Sequence, residues 1–163
     1  MFVAFLAALL LAWSVHVRRR PREPGSRSEL LLRYVLVGYC GIPMVIVALL
    51  FLAHPHEGAE LLGVEPDHPF GLFLGWAYLG MSLMAASALR FKGLYLVGPA
   101  ITWSVFFGGA TVVHVGMEGG VHRMGHGELL MVLGAHALVS VLLVTALWTS
   151  GLLRSVGQPI ARS

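Results

Sequence analysis

Five long apolar stretches, separated by short polar interruptions, set the pattern of the chain: residues 1–17, 30–53, 69–89, 94–115 and 128–150. A helix needs about 20 apolar residues to cross a hydrocarbon core of about 30 Å. The last four stretches meet that length, and the first spans only about 25 Å at the helical rise. β-barrel strands would be about 10 residues long with alternating polarity, and none of these stretches alternates. The pattern predicts an all-α transmembrane bundle of five helices. It forms one membrane domain over residues 1–154, with a short tail over residues 155–163.

The polar interruptions give this bundle a direction. No charge precedes the first stretch, whereas Arg18, Arg19, Arg20 and Arg22 follow it directly. A signal peptide carries its positive charges before the apolar region, so this order predicts an uncleaved anchor. With the N-terminus outside, ten of the eleven basic residues fall in inner segments: those four with Arg27, Arg33, Arg90, Lys92, Arg154 and Arg162. Only Arg123 falls outside. By the positive-inside rule the expected topology is N-terminus out and C-terminus in. Trp13, Tyr34, Tyr95 and Trp148 sit near the expected inner ends, where amphipathic rings settle.

Composition agrees with a membrane setting. Hydrophobic residues make up 57% of the 163 residues and charged residues 12%, about half the share of a soluble domain; mean hydropathy is +0.80. Disorder is excluded, since it needs low hydrophobicity and high net charge. The net charge of +3 reflects the basic inner segments, which attract anionic lipid and give no reason to expect a nucleic-acid partner. The single cysteine, Cys40, forms no intramolecular disulfide and excludes a cysteine-based metal site.

Within the spans, Pro43, with Gly38 and Gly41, predicts a bend in the second helix. Gly71, Gly75, Gly108 and Gly109 predict close helix approaches. No Asp, Glu, Lys or Arg lies near an expected midplane, where pumps and proton-coupled transporters usually need one. Hydroxyls such as Ser82, Ser104, Thr111 and Ser140 can be satisfied by backbone carbonyls. His136 differs: it falls about two turns below the outer end of the fifth helix, at roughly 12 Å depth, and a buried imidazole needs a partner for its N–H.

The remaining chemistry gathers on the outer side. Six of the eight acidic residues and six of the eight histidines lie in or beside the two outer loops. The first carries His54, His56, Glu57, Glu60, Glu65, Asp67 and His68. The second carries His114, Glu118, His122, His126 and Glu128, with Met117, Met124 and Met131 among them. His114, Glu118, His122 and His126 are each four apart, a single stripe on a continuous helix, although Gly116, Gly119, Gly120, Gly125 and Gly127 favour a turn. Glu128 and His136, eight apart, share one face of the fifth helix.

Imidazoles and carboxylates suit zinc, and thioethers with histidines suit copper. The expected metal residues are His114, His122, His126 and His136, with Glu118 and Glu128 as oxygen ligands or supports. A haem held between His114 and His136 is a further option, weakened by their separation in depth. Equally open is a plain polar rim, with Met at spacing seven as a packing stripe. No nucleophile elbow, phosphate loop or nucleotide fingerprint occurs, so the reading leans away from an enzyme. The expected role is non-catalytic binding or accessory, with a transition-metal ion (copper or zinc) on the outer rim. The alternative is a metal-free structural subunit of a larger membrane complex or homo-oligomer, and a haem or quinone redox subunit comes third.

His54-Pro55, Ala59 to Gly63, Pro69-Phe70, Gly75 to Gly80, and Phe107 to Ala110 leading to His114 form a recognisable series. Over roughly residues 35–140 the chain resembles an uncharacterised family of small bacterial polytopic membrane proteins. The resemblance implies a four-helix unit in the bacterial inner membrane and supplies no activity. It singles out His114. It also implies an acidic residue shortly after the Pro-Phe pair, where this chain has Phe73.

Overall fold

The computed structural model describes residues 2–19, 24–57, 70–117 and 132–155, and among them every regular element is helical. Helix α1 is Phe2–Arg19. The second unit is continuous: α2, Pro24–Val35, passes through a π-helical turn at Leu36–Gly41 into α3, Ile42–Ala53. Helix α4, Phe70–Ala86, ends in a tight turn at Ser87–Leu89. A second tight turn, Gly93–Leu96, opens into α5, Val97–Met117. Another π-helical turn, Val132–Ala137, leads into α6, Leu138–Ser150, and α7 is the single turn Leu152–Ser155.

Three of these units are long and apolar enough to cross a membrane: Gly25–Ala53, Phe70–Leu89 and Gly93–Gly116. They coincide with the second, third and fourth expected spans, except that the second helix starts about five residues earlier. The last is a shorter apolar helix, Leu138–Ser150, and residues 128–131 of its expected span lie outside the described residues. The outward faces are strongly apolar. Val112 is 72% exposed and Trp76 65%, and monomers in water rarely show apolar surface on this scale. Together, the spans and these faces identify a membrane protein.

The bend expected at Pro43 is a π-helical turn. Proline has no N–H and its ring meets the carbonyl four residues back, here that of Tyr39. The chain widens instead: the Ile42 N–H reaches the Val37 carbonyl, five residues back. Such one-turn expansions often mark functional sites.

Glycines set the helix approaches. A Cβ on Gly41 would stand 3.0 Å from the Ala86 backbone, and one on Gly75 would meet Leu52 and Phe51, so α4 runs antiparallel along the second unit. Gly108 faces Ser140 of α6, while nothing lies within 4 Å of Gly109. Helix α1 belongs to the bundle: Leu6 is buried in the core. Leu9 closes on Gly38 in the first π turn, and Val3 closes on Gly134 in the second.

One end of the bundle is basic and tied together through α2. Trp13 Nε1 donates to the Arg27 carbonyl at 3.2 Å, and Thr149 Oγ1 donates to Ser28 Oγ at 2.8 Å. The Gly93 N–H donates to Glu29 Oε1 at 3.0 Å. Arg33 donates to the carbonyls of Ala88 and Leu89, both at 3.0 Å, satisfying carbonyls that the end of α4 leaves open. Gly93 and Gly151 take positive φ, 63° and 78°, which only glycine adopts freely. All the arginines and lysines among the described residues sit at this end: Arg18, Arg19, Arg27, Arg33, Arg90, Lys92 and Arg154.

Candidate functional site

The opposite end carries His114, in the last turn of α5, and His136, inside the second π turn. Their rings stack with centroids 5.5 Å apart and planes 20° from parallel. A straight-helix reading separates them in depth; the π turn alters the rise and register of the last helix and brings them into contact. His136 Nδ1 is buried and finds no hydrogen-bond partner among the described residues, so the need for a partner expected from the sequence is unmet there.

The histidine pair caps a longer stack of rings. His136 lies against Phe107 at 5.6 Å and 23°, and Phe107 lies against Trp103 at 5.1 Å and 29°. Trp103 meets Tyr78 at 6.3 Å and 30°, and Tyr78 meets Phe51 at 6.1 Å and 13°. Tyr39, in the first π turn, meets Phe107 edge-on at 6.0 Å. Trp103 is fully buried, and its indole N–H donates to the Met81 carbonyl at 3.2 Å. Offset and edge-on pairs of this kind each add about 0.5–1.5 kcal/mol beyond burial. The stack therefore fixes His136 from below, and sequence reasoning missed it. Its signal was present: Trp103, Phe107 and His114 fall four and eleven residues apart, on one helical face.

Of the six residues expected at a metal, His114 and His136 come together. Glu118, His122, His126 and Glu128 lie outside the described residues, as do Met124 and Met131. Among the described residues no group of three or more His, Cys, Asp or Glu side chains is gathered as a metal site. His54 Nδ1 and Glu57 Oε1 form an exposed pair at 3.6 Å. The near-parallel rings bring two imidazoles, the side chains most often used to bind zinc or copper, to within 5.5 Å of each other.

Hydroxyls in the spans behave as expected. Ser104 Oγ donates to the Ala100 carbonyl at 2.6 Å and Thr111 Oγ1 to that of Phe107 at 2.9 Å. Ser140 Oγ reaches across to the Ser104 carbonyl at 2.9 Å. Ser82 is the exception, buried with no partner among the described residues. Tyr34 and Tyr95 lie at the basic end. Tyr34 OH is 2.9 Å from His16 Nδ1, and Tyr95 OH donates to the Met84 carbonyl at 3.1 Å and contacts Ser87.

A family model for a family of unknown function, DUF6790, matches residues 1–155. The chain belongs to this family. The match takes in α1 and the last helix, which lie largely outside the 35–140 region where the sequence resemblance was drawn. No curated protein and no solved structure matches the chain. At Phe73, where the resemblance implies an acid, the side chain is 69% exposed on α4, a position suited to lipid contact.

Proposed function

We propose that this DUF6790 member is a five-span protein of the bacterial inner membrane, N-terminus outside, whose outer rim binds a transition-metal ion, copper or zinc, in a non-catalytic role. The observation that carries this reading is the His114–His136 pair, with the buried Nδ1 of His136 lacking a partner among the described residues. A neutral imidazole with an unused nitrogen is a ready metal ligand, and the π turn and Phe107 hold it in place. Glu118, His122, His126 and Glu128 are proposed to complete the coordination. The collection of arginines and lysines at the opposite end supports the orientation, since basic segments stay inside.

Equilibrium dialysis of purified protein against zinc and copper tests the site. Replacing His114 and His136 by Ala is expected to weaken binding at least about tenfold, consistent with loss of ligands or their close supports, with helicity unchanged. Unchanged binding in the folded double variant contradicts the proposal.

A second reading has its own observation. Gly98, Gly109 and Gly116 are exposed on α5 with nothing within 4 Å of a Cβ built on them, and their spacing of eleven and seven puts them on one face. Small residues on such a face permit close packing with another helix. This favours a subunit of a larger complex or homo-oligomer, compatible with or without metal.

A further inference from the structure

At the basic end a cavity of about 410 Å³ opens between α1, α2 and the end of α4, a size in the range of small-molecule sites. Its walls are apolar: Leu9 from α1, Leu30 and Val37 from the second unit, and Leu89 beyond α4. Three polar side chains interrupt them, His16, Tyr34 and Arg33. His16 and Tyr34 are joined at 2.9 Å. Arg33 is fixed by its two bonds to the Ala88 and Leu89 carbonyls, and a guanidinium has five N–H donors, so three remain.

Among the described residues no carboxylate compensates the charge of Arg33. The acidic residues among the described ones are Glu29 and Glu57. Glu29 takes the Gly93 N–H and Glu57 pairs with His54. Salt bridging among the described residues leaves Arg33 without a carboxylate. Arg18, Arg19, Arg27, Arg90 and Lys92 share the same end of the bundle. His16 also lines a second groove along α1 with Arg19.

We propose that this cavity binds an anionic phospholipid, with an acyl chain along the apolar wall and the phosphate held by Arg33 and the His16–Tyr34 pair. An apolar cleft closed at its basic end by a fixed guanidinium, without a carboxylate partner among the described residues, complements that amphiphile in both shape and charge. A basic pocket between helices is the usual form of such a site. The site is independent of the metal reading, being at the other end of the molecule.

The test is native mass spectrometry of full-length protein, delipidated and re-exposed to phosphatidylglycerol or phosphatidylcholine. Phosphatidylglycerol is expected to be retained at least about fivefold better, the factor one well-placed basic residue supplies. Arg33→Gln is expected to abolish that preference. Leu89→Trp, at a side chain that lines the cavity yet is 65% exposed, is expected to fill the cleft and lower retention of both lipids. This second variant serves if Arg33→Gln fails to fold. Equal retention of the two lipids by the unaltered protein overturns the proposal. So do unchanged preference in folded Arg33→Gln, unchanged retention in Leu89→Trp, and a quinone in place of phospholipid in the purified protein.

Discussion

Trp103 is the residue on which the buried ring system converges, touching Tyr78, Phe106 and Phe107 while its N–H is taken by Met81. Glycines govern how closely the surrounding backbones approach, and their effects divide by what a side chain would meet. At Gly41 a Cβ stands 3.0 Å from backbone atoms of Ala86, which cannot turn aside as a side chain would. Gly41→Ala is expected to cost about 1–3 kcal/mol, the range for overpacking. Gly80 has nothing within 4 Å, so Gly80→Ala is expected to be neutral or stabilising by up to about 1 kcal/mol. Thermal unfolding of both variants in one detergent checks the contrast. Residue type marked these glycines as approach points, but only packing distinguishes Gly75 and Gly108 from Gly109. Likewise His114 and His136 were legible as candidates, whereas their stacking depends on a π turn that composition does not announce.

Element by element, the apolar pattern located the helices closely, because a run of about 20 apolar residues has few alternatives in a bilayer. What it underread was α1. By length it is the weakest stretch, yet it buries Leu6 in the core and fits Leu9 and Val3 against glycines in both π turns. Leu6→Ala is therefore expected to destabilise the bundle by about 2–5 kcal/mol. Leu11→Ala on the outer face, 66% exposed, is expected to stay within about 0.5 kcal/mol. Denaturation monitored by tryptophan fluorescence distinguishes them, and equal, small effects would make α1 a peripheral anchor. The two π turns were not foreseen as such: Pro43 signalled a bend without its form, and Val132–Ala137 carries no proline at all.

The whole molecule is polarised along its length. One end gathers cations around α2 and a cavity suited to an acidic amphiphile, and the other brings two histidines together above an aromatic stack. The sequence carried the basic half of this polarity, since charge in loops is readable directly. It carried the histidine half only as a list, because His114 and His136 meet through the fold and not through neighbouring positions in the chain. A metal ion on the outer rim is the proposal on which the functional reading rests. Elemental analysis of purified, chelator-free protein, measured against protein concentration, tests it most directly. Near one equivalent of copper or zinc per chain is expected, and folded protein carrying neither metal contradicts it.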